Sequence, residues 1–468
     1  MILTPQAAKY SPATAICDLP GLSDPVRPAQ FPRHIMRFRN DRWAQSVGLD
    51  DLDDARWIAH FGRFEPLEGS LKEPLALRYH GHQFRVYNPD IGDGRGFLFA
   101  QLRDHLGRLM DLGTKGSGQT PYSRFGDGRL TLKGGVREIL ATEMLEALGV
   151  HTSKTFSLIE TGEALERNDE PSPTRAAALV RLSHSHIRIG SFQRAAALED
   201  EALLRGLTDY ALKRLYDAQP GPNPAAQLLA LVVARTADLA ASYMIAGFVH
   251  GVLNSDNINI TGESFDYGPW RFTPFWEPGF TAAYFDHQGL YAFARQAEAI
   301  HWDVAQLALS LRALSDTEPL VDALNRFPEL YADAMRRRFC WRLGIAQTGA
   351  EDVATLMEAA VRGLMETRTP IDRFYFDWRG GSLRTAEAEG RYGAPEWAPF
   401  RERIAGSANP AAADHPYWRG DAPCSMHIDE VEAIWSAIDE RDDWSVLDRK
   451  IEAIRLMGAA HRDISLAA

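Results

Sequence analysis

The sequence predicts an α+β fold of two lobes, a strand-rich N-terminal lobe followed by a helical C-terminal lobe and a helical C-terminal extension. Three observations predict it. Short runs with β-branched and aromatic residues, punctuated by glycine and proline, crowd the stretch before about residue 183, and from Ser191 onward the apolar residues recur at helical spacing. A length of 468 residues is about three times the commonest domain size, enough for two or three packed units. Hydrophobic residues at 45% and charged residues at 24% are the proportions of a globular chain, not a disordered one.

Up to about Tyr79 the chain mixes proline-rich turns with short apolar runs. Gly92-Asp93-Gly94-Arg95-Gly96 then reads as a tight turn feeding a buried strand at Phe97 to Leu102, and Leu109 to Leu112 as a second strand running into a glycine-rich loop that carries Lys115. Val136, Ile139, Leu140, Met144 and Leu148 share one face of a helix over 134–148, which Gly149 ends. Lys154 to Glu160 and Ala176 to Leu182 form a hairpin around the polar turn 168–173. Asn223-Pro224 supplies an N-cap and a first-turn proline for a long buried helix reaching roughly Phe248. Residues 304–366 are again helical, 377–423 are rich in glycine, proline and alanine, and a helical pair closes the chain around Glu430 to Ala459.

The balance of 51 basic against 63 acidic residues, a net charge of −12, repels a polyphosphate backbone, so nucleic-acid binding is not expected. Cys17, Cys340 and Cys424 are far apart and form no metal or disulfide pattern, which fits a reducing, cytoplasmic setting. The opening Met-Ile-Leu-Thr-Pro has no basic and apolar leader pattern, and the longest uncharged apolar stretch, Leu239 to Gly251, is short of the ~20 residues a bilayer needs. Neither signal peptide nor membrane span is expected.

Four features carry chemistry. Gly92-x-Gly94-Arg95-Gly96 is a turn whose backbone can approach an anion, or a plain strand connection. Lys115 sits among Gly113, Gly116, Ser117 and Gly118, without the spacing of a Walker loop. Glu138 follows it by 23 residues on the polar side of the predicted helix, either an ordinary exposed glutamate or the carboxylate that orients a phosphate-binding lysine. The sharpest is His250-Gly251-Val252-Leu253-Asn254-Ser255-Asp256-Asn257, with Asp266-Tyr267-Gly268 beginning ten residues after Asp256. Asn257 and Asp266 offer the hard oxygen ligands that magnesium prefers, and the pairing resembles the catalytic loop and the Asp-Phe-Gly element of protein kinases. Asn257 falls in the kinase register, but Val252 stands where the phosphoryl-transfer base belongs. Asp256 is the nearby carboxylate. With Asp near pKa 3.9 and tyrosine near 10, full proton transfer before reaction costs about 8 kcal/mol, so a base here acts late or orients the hydroxyl.

The motifs Gly81-His82-Gln83-Phe84, Gly92-Asp93-Gly94-Arg95, the block from Lys115 to Arg129, Arg137-Glu138, Ser185-His186-Ile187-Arg188, the His250–Asn257 loop and Asp266-Tyr267-Gly268-Pro269 closely resemble selenoprotein O, a kinase-like family, over about residues 60–310. The resemblance implies a bilobal protein-kinase-like fold and transfer of AMP from ATP, bound in a flipped orientation, to Ser, Thr or Tyr hydroxyls of proteins, with UMP transfer and self-modification as variants. It implies Mg²⁺ or Mn²⁺ on Asn257 and Asp266, Asp256 as proton acceptor, and Lys115 on the phosphates, held by Glu138. Arg95, Arg181 and Arg188 would add positive charge around the triphosphate, and Gly92, Gly94, Asp127 and Gly128 would line the nucleotide site. The units expected are an N-terminal extension packing on the lobes (1–75), a kinase-like N-lobe (76–190), a C-lobe with the catalytic and metal loops (191–345) and a helical extension (346–468). Residues 280–288 lack the cysteine and the asparagine that the family carries there, and the end at Ser465-Leu466-Ala467-Ala468 lacks the selenocysteine or cysteine of some members.

His80 and His82, without a Cys or carboxylate partner nearby, are turn and packing residues, and the aromatic run Trp270, Phe272, Phe275 and Trp276 is packing at a lobe interface. A conventional ATP phosphotransferase and an inactive nucleotide-binding pseudokinase scaffold are the alternatives to adenylyl transfer.

Overall fold

A computed structural model describes residues 5–168, 170–347 and 349–462. Met1 to Thr4 of the opening segment, Asp169 of the predicted turn and the Ser465–Ala468 end lie outside the described residues. In chain order the elements are β1 (Pro12–Ala13), β2 (Ser23–Pro25), β3 (Ile35–Arg39), α1 (Asp41–Ala44), α2 (Asp54–Phe61), β4 (Leu75–Leu77), β5 (Gly81–Gln83), β6 (Val86–Asn88), β7 (Leu98–Arg103), β8 (Leu109–Lys115), β9 (Leu130–Thr131) and α3 (Leu132–Ala147). Next come β10 (Lys154–Leu165), β11 (Thr174–Ser183), α4 (Ile189–Ala197), α5 (Glu201–Tyr210), α6 (Pro224–Ala246), β12 (Phe248–His250), β13 (Trp270–Phe272), α7 (Gln296–Ser310), α8 (Thr317–Asn325) and α9 (Phe327–Leu343). The C-terminal part adds α10 (Ala350–Thr367), α11 (Ile371–Asp377), α12 (Ala398–Ile404), α13 (Ile428–Arg441) and α14 (Ser445–Arg462).

Nine strands form one antiparallel sheet in the order β2-β4-β7-β8-β11-β10-β3, with β1 beside β7 and β9 beside β11. Alternate residues of its central strands enter different cores. Leu98, Leu158 and Leu179 point to the face that α3 covers, whereas Phe99, Ile159 and Val180 point to the face that Trp57 and Phe61 of α2 cover. Burial on both faces explains why these strands read as continuous apolar runs. The predicted strands and hairpin are found, as are α3 and the long α6, whose Asn223 side chain accepts from Ala226 N at 3.1 Å.

Four local readings are corrected. The stretch before Tyr79 holds β1 to β4, α1 and α2, and all four strands belong to the main sheet; every residue of β3 is only half buried, so no alternation betrays it. Lys115 is the last residue of β8, paired with Leu179, not a loop residue. Glu138 is fully buried, because it lies on the side of α3 turned to the sheet, against Lys115 of β8 and Arg181 of β11. Gly247, at φ +69°, ends α6 ahead of Phe248, which begins β12.

By length and composition α6 could cross a bilayer, but it is mostly buried here, between α7, α8 and α9, as a core helix. The fold is α+β and kinase-like: a curled sheet with one long helix, then a helical body, with a helical extension that packs back onto α3.

Candidate active site

A cleft of about 670 Å³ opens between the sheet and the helical body. Lys115 and Arg181, on adjacent strands β8 and β11, come from the sheet side, and Asp256 and Asp266 face them from the loops that follow β12.

Lys115 Nζ lies 2.8 Å from Glu138 Oε2 and 3.1 Å from Asp266 Oδ1. Arg181 Nη2 reaches the same Asp266 oxygen at 3.4 Å, and its Nε stands 3.5 Å from Glu138 Oε1. Burial alone would push the Asp266 carboxyl up, yet the charges of Lys115, Arg181, Arg95 and Arg188 hold it well below the usual carboxylate range. Its side chain keeps 27% exposure toward the cleft, and its φ of +58° is a left-handed backbone that aims the carboxylate inward. Arg181 Nε and Nη1 are buried without a hydrogen-bond acceptor. Guanidinium donors left open at the closed end of a cleft suit an anion's oxygens.

The loop after β12 is fixed by its own short-range bonds. Val252 N–H donates to His250 Nδ1 at 3.3 Å, so Nε2 carries the proton and donates to the Phe265 carbonyl at 3.2 Å, tying the loop to the residue before Asp266. Asn254 Oδ1 accepts from Phe84 N and Tyr291 Oη, and Ser255 Oγ accepts from His82 N, so β5 is pinned onto the loop. The missing side chain of Gly81 makes room for Asp256, whose Oδ1 would lie 2.9 Å from a Cβ there. Asp256 is buried, with Oδ1 unpartnered; burial pushes its carboxyl up to about 6 against the pull of Arg188, and the charge of Asp266 adds to the rise. Asn257 donates from Nδ2 to the Val252 carbonyl at 3.1 Å, which orients the amide and leaves Oδ1 as an open acceptor. An amide oxygen and an ionised carboxylate on adjoining loops are the donor set of a hard divalent cation, so the residues fit such an ion.

Arg188, before α4, is buried between the rings of Tyr79 and Phe265, 4.2 and 4.9 Å from its guanidinium carbon. Its Nη1 donates to the Asp256 carbonyl at 3.2 Å and its Nη2 faces Asp93 Oδ1 at 3.4 Å. Gly92 and Gly94 line the cleft, but a Cβ at either would strike Tyr122, at 2.5 Å from the ring and 2.9 Å from the carbonyl oxygen; packing of the 120–124 loop requires these glycines. Arg95 is exposed at the cleft. Toward the mouth, Asp127 accepts from Arg129 N at 2.9 Å and from Arg167 Nη1 at 2.8 Å, and Gly128 turns at φ +69°.

The cleft therefore gathers Gly92, Gly94, Arg95, Lys115, Asp127, Gly128, Arg181, Arg188, Asp256 and Asp266. Glu138 stands behind Lys115, and Asn257 beside Asp256. Sequence reasoning missed Tyr79, His186 and Arg167 in the lining and the role of Asp93 under Arg188. Asp93 lay inside a quoted motif, and its carboxyl is pushed up by burial; Arg167 carries no sequence signal, since it arrives from the far end of a hairpin.

The fold and this cleft together define a kinase-like enzyme. The sequence profile described as "Protein adenylyltransferase SelO" matches residues 7–389. A protein of Synechocystis named "Protein nucleotidyltransferase YdiU" is 39% identical over 457 residues, 92% of this chain and 95% of its own length. Proteins of the same name from Gloeobacter violaceus and Synechococcus elongatus are 43% identical over 438 residues (90% of each chain) and 49% identical over 326 residues (69% of this chain, 65% of the relative). The chain belongs to the SelO family of protein adenylyltransferases and is a protein nucleotidyltransferase.

Proposed function

We propose that the protein transfers AMP from ATP to Ser, Thr or Tyr hydroxyls of proteins, with the triphosphate running tail-first into the closed end of the cleft. The observation that carries this reading is the buried guanidinium of Arg181, whose Nη1 has no acceptor and whose Nε has only a long contact to Glu138, beside Lys115 and Arg188. A kinase that buries adenine has no use for open guanidinium donors there; phosphate oxygens do. With the outer phosphates held inside, the α-phosphorus lies nearer the mouth and Asp256.

The acceptor hydroxyl attacks the α-phosphorus, the bond to the bridging oxygen of the β-phosphate breaks, and pyrophosphate leaves with that electron pair. The hydroxyl proton passes to Asp256 Oδ1. Raising this carboxyl to about 6 narrows its gap to a tyrosine hydroxyl from about six pKa units to about four, so the early-transfer cost falls from about 8 to about 5.5 kcal/mol. Lys115, kept in place by Glu138, and Arg181 neutralise the departing pyrophosphate. Asn257 and Asp266 would hold Mg²⁺ or Mn²⁺, which when bound offsets phosphate charge.

Incubation with ATP labelled at the α- or the γ-phosphate, followed by intact-mass measurement of the protein and of added protein acceptors, tests this. Incorporation of α-label, with a mass gain of one AMP, is expected. Incorporation of γ-label would establish phosphotransfer instead, and parallel reactions with UTP decide the nucleotide.

A further inference from the structure

A second cleft of about 620 Å³ lies in the C-terminal extension, walled by α11, the 382–391 segment and the 410–421 segment. Five arginines line it, Arg373, Arg379, Arg384, Arg391 and Arg419, against the carboxylates Asp377, Glu387 and Asp421. Asp377 is already engaged: Oδ2 accepts from Arg391 Nη1 at 2.7 Å and Tyr392 Oη at 3.1 Å, and Oδ1 faces Arg373 Nη1 at 3.5 Å. Glu387 and Asp421 are exposed to solvent.

The donors on the inner wall are only partly engaged. Arg379, 1% exposed, gives Nε to the Ala412 carbonyl at 3.1 Å and Nη1 to the carbonyls of Trp341 and Arg342 at 3.0 and 2.8 Å, while Nη2 is buried with no acceptor. Arg384 lies 3.9 Å over the ring of Phe376 and gives Nη2 to the Gly420 carbonyl at 3.2 Å, yet Nε and Nη1 are buried with no acceptor. Trp418 Nε1, on the ring beneath the Arg379 guanidinium, also has none. Among the described residues no carboxylate forms an ion pair with Arg379 or Arg384, although their neighbours Arg373 and Arg391 both pair with Asp377.

A guanidinium buried without a counter-charge is costly, and one wall that offers four orphan N–H donors and no orphan acceptor is the complement of an anion's oxygens. We propose that this cleft is a second anion site, which takes a small phosphate-bearing molecule whose phosphate oxygens accept from Arg379, Arg384 and Trp418. The cavity is nearly as large as the candidate active site, so it has room for more than a bare phosphate. It stands apart from the nucleotide reading, since the two clefts share no residue.

The test uses the full chain carrying Lys115→Met and Arg181→Met, which cripples the first cleft, titrated calorimetrically with inorganic phosphate, pyrophosphate and AMP. Saturable binding of at least one probe is expected to remain, and Arg384→Gln in the same background to weaken it at least tenfold. The ranking of the probes tells free phosphate from a nucleotide as the source. Because a variant of buried Arg379 can fail to fold, the second measurement is a tungstate soak of the unaltered protein, with an anomalous peak expected between Arg379 and Arg384. Loss of all binding in the Lys115→Met, Arg181→Met background, unchanged affinity in Arg384→Gln, or no tungstate at these arginines would overturn the proposal.

Discussion

Glu138 Oε2 accepts from Lys115 Nζ at 2.8 Å, and both side chains are sealed from bulk water. Removing one partner of such a pair strands the other charge. Glu138→Gln is expected to lower unfolding free energy by about 3 kcal/mol, with much of the loss recovered when Lys115→Met is added. Denaturant titration of the two single variants and the double variant measures the coupling; additive losses would contradict it.

Asp266 and Asp256 face the same cleft, and the proposed reaction gives them different duties. Asp266→Ala removes a carboxylate that Lys115 and Arg181 share, and is expected to abolish metal-dependent ATP binding along with transfer. Asp256→Asn should leave the ATP dissociation constant within about threefold while transfer slows by at least about a hundredfold. Calorimetry with ATP and metal, set beside α-label incorporation, separates the two; equal loss of affinity in both variants would refute the division.

Arg181 tests the direction of the nucleotide. With phosphates at the closed end, Arg181→Met should weaken ATP by about a hundredfold and leave adenosine untouched. Competition binding of ATP, AMP and adenosine reads this directly, and a matching loss of adenosine affinity would put the base, not the phosphates, beside Arg181.

Glu263 gives the fold a pH dependence. Burial pushes its carboxyl up to about 7, against the pull of Lys154, while Oε2 accepts from His184 N at 2.8 Å. The unfolded chain ionises this group near 4.5 and the folded one near 7, so between those values the folded state holds the extra proton. The contribution of Glu263 to stability should therefore fall by about 3 kcal/mol as pH rises from 4.5 to 7 and then level off, against the opposite contribution of the neighbouring His151 and His184, whose imidazoles burial pushes down. Urea unfolding of the unaltered chain and of Glu263→Gln, which keeps the acceptor, at pH 5 and pH 8 checks this: the variant should gain stability relative to the unaltered chain between the two pH values, and an identical pH dependence would exclude Glu263 as a source.

The layout of the candidate site was legible in the sequence because a phosphate-handling site dictates residue type and spacing. Lys115 and Glu138, 23 residues apart, do meet, and Asp256, Asn257 and Asp266 lie on adjoining loops as their order implied. What stayed hidden depended on partners distant in sequence. Glu138 looked exposed because the groups that cover it, Lys115 and Arg181, come from two separate strands of the sheet, and β3 gave no alternation because neither of its faces is fully buried. The closeness of Arg188 to Asp93, of Gly81 to Asp256, and of Arg379 to Trp418 is made only by the folded chain.

The helix that carries Glu138 is bolted in place along its outer side. Glu143 takes a two-pronged bond from Arg455 of α14, Lys133 reaches Glu432 of α13 at 2.7 Å, and Arg42 grips Glu146 near the far end. These bonds oppose an outward swing that would break the helix's contact with Lys115, a movement by which kinase-fold enzymes are commonly switched. The C-terminal extension thus shares with the sheet the task of setting where Glu138 stands.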